Sequence, residues 1–213
     1  MEKLKSSVTN MVLVLTGVAV ITGAILAYIN NITEAPIAQQ KEKALADGIK
    51  AVMGGGELTV SKTDTVRQND AKGKELTYII YQTQDAKKND LGAAVESTTG
   101  GFGGDLKVLV GFNPEGKILG YTLLEHAETP GLGAKADTWF QKGQKGDIIG
   151  RDPREPLTVS KDGGQVDAIT ASTITSRAFL KAVNQAYNAY KATPVDAESG
   201  ATKQEKEEKE DNV

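Results

Sequence analysis

Hydrophobic residues are concentrated near the N-terminus, where residues 6–33 contain no charged side chain and residues 11–29 are almost entirely apolar. A helix of about 20 such residues spans the hydrocarbon core of a membrane. A cleaved signal peptide is the alternative interpretation, but its apolar region is usually only about 7–15 residues long and ends at a recognisable cleavage site. The pattern therefore favours one transmembrane helix over residues 11–29, after a short cytoplasmic segment at residues 1–10.

The charges that flank this apolar stretch predict how the helix is oriented. Lys3 and Lys5 precede it, and Glu34 follows it. Basic residues close to a transmembrane helix are preferentially retained on the cytoplasmic side. We therefore expect a single-pass protein with a cytoplasmic N-terminus and with the rest of the chain on the outer face of the membrane.

The chain after the apolar stretch has the pattern of a mixed α and β domain. Apolar residues at helical spacing predict a helix over residues 37–53, which the glycines at residues 54–56 end. Residues 113–116, Asn-Pro-Glu-Gly, have the composition of a tight turn and predict an antiparallel hairpin. Four runs rich in β-branched and aromatic residues predict strands: residues 57–63, 76–83, 106–112 and 117–124.

The last element predicted is an amphipathic helix that begins near Thr175, and a shorter helix is expected around residues 138–141. Residues 192–213 are mainly polar and charged, and they predict a disordered tail. The predicted fold class is therefore α+β. It has a single N-terminal transmembrane helix followed by one domain, residues 36–191, with a largely antiparallel sheet flanked by helices.

The composition of the chain removes several kinds of chemistry. The formal net charge is −3 and the isoelectric point is near 5.4, so the chain offers no basic surface for the phosphates of a nucleic acid. It has no cysteine and only one histidine, which excludes iron–sulfur clusters, thiolate zinc sites and multi-histidine metal sites. Redox chemistry on this chain would therefore need an organic cofactor, and no metal ligands are assigned.

Small and hydroxyl residues are clustered over residues 166–177, just before the final helix. Hydroxyl side chains cap helices, and the first helical turn attracts phosphate through its free N–H groups and its partial positive charge. An ordinary capping cluster, with Asp167 as a turn residue, is the alternative interpretation. The candidate residues around a phosphate are Thr170, Ala171, Ser172, Thr173, Thr175 and Arg177, whereas the Asp167 carboxylate would repel a phosphate unless a cation lay between them.

This run resembles the flavin attachment site of the FMN-binding domain family. The family includes the G subunit of the Rnf electron-transport complex and the C subunit of the sodium-translocating NADH:quinone reductase, and the sequence context here is more similar to the Rnf protein. In the family, an Asp-x-x-Ser/Thr-Gly-Ala-Thr motif carries FMN through a phosphoester to the hydroxyl of the last Thr. The resemblance implies covalent FMN on Thr173, with Ala171 and Ser172 in place of the usual Gly and Ala.

A second copy of the motif occurs at residues 196–202 and fits the bare pattern more closely. It would place the flavin on Thr202. No apolar helix follows it to hold a phosphate, and no apolar wall is available for the ring. We therefore expect Thr173 to be the main site, with Thr202 as a competitor.

Residues 128–133, Glu-Thr-Pro-Gly-Leu-Gly, also resemble a loop of this family, and residues 101–104 resemble its glycine-rich strand entry. A stiff bend followed by glycines allows the backbone to approach a flat ring. A plain structural turn is the alternative for each residue separately. The candidate flavin contacts are Glu128 and Thr129 through hydrogen bonds, Leu132 through packing, and Gly131 and Gly133 through the close approach of the backbone.

The resemblance implies a role for the whole chain. It would be a one-flavin electron relay in an ion-translocating ferredoxin/NAD oxidoreductase similar to Rnf, in the inner membrane of a bacterium, with the other membrane subunits of that complex as partners. A flavin transferase that uses FAD as donor and depends on Mg²⁺ would attach the FMN, and Asp167 would belong to the signal it reads. The alternatives are a flavin-free membrane-anchored binding or assembly module of the same fold and, less favoured, a self-contained flavin reductase.

Overall fold

The computed structural model describes residues 8–69, 73 and 75–192. The chain divides into two compact units, Met1–Ala46 and Asp47–Val213. The first unit consists, in its described part, of helix α1 (Val8–Val52), which continues into the second unit. The apolar side chains over residues 11–29 are exposed, and this helix is long and apolar enough to cross a membrane. The second motif, residues 196–202, lies outside the described residues. The same holds for the predicted disordered tail, residues 192–213, except for Ala192, which is the last residue of α3 (Thr173–Ala192).

Helix α1 runs through Pro36, so the expectation of a separate helix starting at residue 37 was wrong. A proline removes only one backbone donor from a helix, and the resulting defect is local. One turn earlier, the Thr33 hydroxyl donates to the carbonyl oxygen of Ile29 at 2.8 Å. The end of the helix agrees with the sequence, because α1 stops at Val52 and the glycines at residues 54–56 follow.

The second unit contains a five-stranded sheet in which each strand pairs antiparallel with the next one along the chain. The prediction of an α+β fold with an antiparallel sheet is confirmed, and each of the four predicted strands overlaps an observed one. The strands are β1 (Thr59–Asn69), β2 (Glu75–Gln84), β3 (Asp90–Gly100), β4 (Asp105–Phe112) and β5 (Ile118–His126).

Strand β3 is the central strand, and it was not predicted from the sequence. Its first half contains Gly92, Ala93 and Ala94, which are small residues with low strand propensity. Gly92 has a steric reason, because a Cβ atom there would lie 2.0 Å from the carbonyl oxygen of Phe112 on the neighbouring strand. Backbone crowding therefore excludes a β-branched residue at position 92, and strand prediction depends on such residues.

Helix α3 (Thr173–Ala192) covers one face of the sheet and buries the main core. The Phe179 ring stacks on Phe140 at a centroid distance of 4.3 Å and meets Tyr121 edge-on at 4.7 Å. The Thr99 hydroxyl of β3 donates to the carbonyl oxygen of Ala178 at 3.0 Å. These contacts fix the first half of α3 over the end of β3, where the chain leaves the sheet through residues 101–104.

The short helix predicted around residues 138–141 is confirmed as α2 (Ala136–Trp139), which packs beside the same core. The Tyr121 hydroxyl donates to the carbonyl oxygen of Ala136 at 2.6 Å and accepts the N–H of Phe140 at 3.1 Å. Burial raises the pKa of Tyr121 above its ordinary value, so this hydroxyl stays protonated. Strand β5 and α2 are thereby joined, and the loop between them, residues 127–135, is held at both ends.

Candidate functional site

Three segments of the second unit meet around a pocket of about 390 Å³. They are the glycine-rich connection between β3 and β4 (residues 101–104), the loop after β5 (residues 127–133), and the start of α3 with the residues before it (residues 170–175). Pockets of this size commonly hold small ligands or cofactors. Phe102 and Ile174 line the pocket together with eight of the residues that the sequence marks as candidates: Glu128, Thr129, Leu132, Gly133, Ala171, Ser172, Thr173 and Thr175.

The Glu128 side chain is buried and joins the three segments. Its Oε1 atom accepts the N–H groups of Phe102 at 2.7 Å and Gly103 at 3.4 Å, and its Oε2 atom accepts the Thr175 hydroxyl at 2.8 Å. A buried carboxylate is stable only with such partners. Both oxygens are thus engaged by the protein itself, and Glu128 also lines the pocket in which the sequence predicts that it contacts a flavin ring.

The glycines near Glu128 are required by the position of its carboxylate. A Cβ atom on Gly101 would lie 2.1 Å from Oε1, and one on Gly133 would lie 2.3 Å from Oε2. The glycine-rich segment and the Glu-Thr-Pro-Gly-Leu-Gly loop therefore contact each other through the Glu128 carboxylate. Sequence reasoning treated them as separate blocks because they are separated by a hairpin.

The walls of the pocket carry large apolar side chains that remain exposed. Phe102 is 69% exposed, Ile174 54% and Leu132 42%. Exposed apolar residues around one opening are typical of a ligand or interaction site. Leu132 was a candidate from the sequence, whereas Phe102 and Ile174 were missed. Phe102 could have been noticed in the sequence, because it is an aromatic residue between two glycines and fits no predicted core position.

Helix α3 begins at Thr173, two residues before Thr175, near which the sequence predicted its start. The first helical bond runs from the N–H of Ser176 to the carbonyl oxygen of Ser172 at 3.0 Å, so Ser172 is the residue that precedes the helix. The first turn of a helix leaves N–H groups without intrahelical acceptors, here those of Thr173, Ile174 and Thr175. Thr173 is half-buried at the edge of the pocket, and Thr175 is buried against Glu128.

The loop before α3 contains a residue in the left-handed region, Ala171, with φ of 62°. This is the position at which the family motif has Gly, which adopts that conformation without strain. The surrounding loop is fixed by Ser176, whose Oγ accepts the N–H of Ile169 at 2.9 Å and donates to the carbonyl oxygen of Ser172 at 3.0 Å. Ala171 therefore adopts, at some cost in stability, a conformation that a glycine at this position would adopt without strain.

The charges around Thr173 differ from the sequence-based expectation. The Lys161 ammonium donates to Thr173 Oγ1 at 3.3 Å. Arg177, the expected cation, instead forms a two-point ion pair with Asp162 through Nε at 2.7 Å and a terminal nitrogen at 2.6 Å. This hydrogen bonding from Arg177 lowers the pKa of the Asp162 carboxyl below its ordinary value.

The remaining candidates lie near the pocket without lining it. Asp167 is exposed, and its Oδ1 accepts the Ser160 hydroxyl at 3.1 Å while its carbonyl oxygen accepts the Trp139 indole N–H at 2.8 Å. Thr170 is exposed in the loop before α3. Gly131 has φ of 76° and turns the chain between Thr129 and Leu132, whose N–H donates to the Thr129 carbonyl oxygen at 3.1 Å.

Comparison with known proteins agrees with this geometry. Residues 101–188 match the FMN-binding domain family, and this range contains every residue that lines the pocket. Residues 1–52 match the RnfG N-terminal region. The chain therefore has an FMN-binding domain in its second unit, as the resemblance of residues 101–104, 126–133 and 166–177 implies.

Several bacterial relatives, each named as the G subunit of an ion-translocating oxidoreductase complex, resemble the chain over most of its length. The relative from Shewanella piezotolerans is 31% identical over 194 residues, which cover 86% of this chain and 89% of the relative. The relative from Photorhabdus laumondii is 33% identical, and the match covers 78% of this chain and 82% of the relative. The relative from Aliivibrio fischeri is 38% identical, and the match covers 59% of this chain and 61% of the relative. The chain belongs to this family, the G subunits of ion-translocating oxidoreductase complexes.

Replacing Glu128 by Ala should destabilise the domain. The change leaves the N–H of Phe102 and the hydroxyl of Thr175 without their buried acceptor, which costs about 2–3 kcal/mol. For a chain of this size we expect the unfolding temperature to fall by about 5–10 °C. Differential scanning calorimetry of the full chain in detergent measures this, with the exposed Glu115→Ala variant as the control. Equal unfolding temperatures for both variants would contradict the assigned role of Glu128.

Replacing Ala171 by Gly should stabilise the domain. A left-handed alanine costs about 1–2 kcal/mol, and the extra freedom of glycine in the unfolded chain returns roughly 0.4–1 kcal/mol of this. We expect a net gain of about 0.5–1 kcal/mol, measured by the same calorimetry. The matched control is Ala168→Gly, which lies in the same loop without a positive φ and should destabilise. Stabilisation by both changes, or by neither, would argue against strain at Ala171.

Proposed function

We propose that this chain is the electron-relay subunit of an ion-translocating ferredoxin/NAD oxidoreductase similar to Rnf, and that it carries FMN joined through a phosphoester to Thr173. One observation carries the proposal. The Thr173 hydroxyl lies where the first turn of α3 meets an apolar pocket, inside the region that matches the FMN-binding domain. A phosphate on this oxygen would be next to free backbone N–H groups, and the group attached to it would extend into the pocket.

The residues of the pocket fit the two ends of FMN. The ring system is flat and largely apolar, and Phe102, Leu132 and Ile174 supply exposed apolar surface for it. The phosphate is anionic, and the start of α3 supplies N–H groups and a partial positive charge. Glu128 holds the segments together and also lines the pocket, where it would have acceptor capacity left for a hydrogen bond from the ring.

Once bound, FMN would accept electrons from one redox partner and pass them to another, and the protein would hold it and set its surroundings. The chain itself keeps the site rigid through Glu128 and limits water around the ring with the apolar walls. Covalent attachment prevents loss of the cofactor on the outer face of the membrane. The partners would be the other membrane subunits of the complex.

Attachment would use FAD and an Mg²⁺-dependent flavin transferase. The Thr173 oxygen attacks the phosphorus that carries the riboflavin part of FAD. A new O–P bond forms, the P–O bond of the pyrophosphate breaks, AMP leaves, and the hydroxyl proton is released. Asp167 is exposed beside the loop, where an enzyme has access to it.

The apolar part of α1, residues 11–29, would anchor the chain in the inner membrane, with residues 1–10 in the cytoplasm. The domain, residues 36–191, would lie on the periplasmic or outer face. Exposure of the apolar side chains of this helix supports the anchor, and the positions of Lys3, Lys5 and Glu34 support the orientation.

Replacing Thr173 by Ala should abolish attachment of FMN. The full chain is co-expressed with a flavin transferase and digested with trypsin, which releases residues 162–177 and 192–203 as separate peptides. We expect mass spectrometry to find the FMN adduct on Thr173 in the unaltered chain and no adduct in Thr173→Ala. Thr202→Ala is the matched control and should retain the adduct. An adduct only on Thr202 would overturn the site, and no adduct on either peptide would favour the flavin-free module.

The orientation can be tested because the chain has no cysteine of its own. Thr63, exposed on β1, and Ser6, before the apolar stretch, are replaced by Cys one at a time. In spheroplasts, a membrane-impermeant maleimide should label Thr63→Cys, whereas Ser6→Cys should react only after lysis. The reverse pattern would place the domain in the cytoplasm.

A further inference from the structure

We propose that Lys161 is the cation of the attachment site: it orients the Thr173 hydroxyl before flavin transfer and pairs with the phosphodiester afterwards. This inference rests on the proposed attachment of FMN to Thr173. It replaces Arg177, which the sequence indicated for the same role, and it concerns a residue that lies outside the three sequence blocks that resemble the family, residues 101–104, 126–133 and 166–177.

The contact between Lys161 and Thr173 joins two separate segments. Lys161 lies in the 3-10 turn Ser160–Asp162, and Thr173 is the first residue of α3. The Lys161 ammonium lies 3.3 Å from Thr173 Oγ1 and donates a hydrogen bond to it. No carboxylate in the described part of the chain lies within 4.0 Å of that ammonium. Its charge is therefore available to an anion on Thr173.

The turn that carries Lys161 is held in place by several bonds. Ser160 N–H donates to the carbonyl oxygen of Val166 at 2.8 Å, and the turn ends at Gly163, with φ of 83°. A Cβ atom on Gly164 would lie 2.1 Å from the Thr158 hydroxyl, so the chain is packed closely there. The backbone of Lys161 is consequently fixed although its side chain is exposed.

The ion pair between Asp162 and Arg177 completes this arrangement. It connects the turn to the second turn of α3 through two short hydrogen bonds. Arg177 stays charged, but its planar guanidinium group is paired with the Asp162 carboxylate. The pair acts as a clamp that places the neighbouring residue, Lys161, over the start of the helix. In the sequence, the residues of this arrangement are the Lys-Asp-Gly-Gly turn at residues 161–164 and the later Arg177.

The chemistry of attachment explains why an ammonium is useful at this point. Before transfer, the hydrogen bond from Lys161 holds one lone pair of Thr173 Oγ1 and stabilises the negative charge that develops as the hydroxyl proton leaves. After transfer, the same oxygen bridges to phosphorus, and the phosphodiester carries one negative charge on its two free oxygens. An ammonium beside these oxygens donates charge-assisted hydrogen bonds to them.

The test measures the initial rate of flavin transfer to the full chain in detergent, with purified flavin transferase, FAD and Mg²⁺. In-gel flavin fluorescence follows the rate, and mass spectrometry assigns the adduct. Lys161→Met, which keeps the length of the side chain without its charge, should be roughly tenfold slower. Lys161→Arg should recover to within about threefold of the unaltered chain, because the positive charge is retained. Lys142→Met, at another exposed lysine, should change nothing.

A purely structural role for Lys161 would give a different result. If the charge of Lys161 matters, the ratio of the transfer rate of the unaltered chain to that of Lys161→Met should fall as the salt concentration rises, because salt screens exposed charges. A packing defect would not respond to salt and would not be rescued by Arg. If Lys161→Met does not fold, Lys161→Gln provides the same comparison with a polar neutral side chain.

The outcomes separate this inference from the proposed function. An adduct on Thr173 in the unaltered chain, with an equal rate in Lys161→Met, overturns the role of Lys161 alone. Absence of an adduct on Thr173 in the unaltered chain overturns both. A slow Lys161→Met variant, rescue by Lys161→Arg and a ratio that falls with salt together support the assignment.

Discussion

The site depends on one buried carboxylate. Glu128 lies where the β3–β4 connection, the loop after β5 and the start of α3 approach one another, and it accepts hydrogen bonds from both of the other segments. The energetic asymmetry of buried polar groups makes this contact a strong constraint, since each partner left unpaired would cost more than the bond contributes. The glycines, the helix start and the pocket shape all follow from the need to bring backbone and hydroxyl donors to this carboxylate.

The sheet and α3 provide the rigid frame for that contact. An antiparallel meander brings the C-terminal ends of β3 and β5 to the same end of the sheet, because alternate strands run in the same direction. Aromatic packing of Phe179 against Phe140 and Tyr121 then fixes α3 across the sheet. The β3–β4 connection and the loop after β5 thus become neighbours, and the chain reaches α3 through residues 127–172, which contain only short helices. The chemistry sits on loops that are held at both ends.

Much of the fold could be read from the sequence because β-branched runs, the Asn-Pro-Glu-Gly turn and the periodic apolar face of α3 are local signals. Strand β3 was missed because close backbone contact requires glycine at position 92, and because Ala93 and Ala94 beside it have no strand signature. The pocket residues in the motif blocks were found by resemblance. Phe102, Ile174 and Lys161 were not predicted from the sequence, because the roles of these residues depend on which segments meet in the fold. The pairing of Arg177 with Asp162 is also a tertiary contact, and it was not predicted for the same reason.

The hydrogen bond from the Trp139 indole to the carbonyl oxygen of Asp167 has a practical consequence. Trp139 is the only tryptophan in the chain, and this bond places it on the loop that leads to Thr173. Tryptophan emits in the near ultraviolet, where the isoalloxazine ring absorbs. The protein therefore contains its own optical donor beside the site, and its emission gives a continuous, label-free signal of loop position and of flavin nearby.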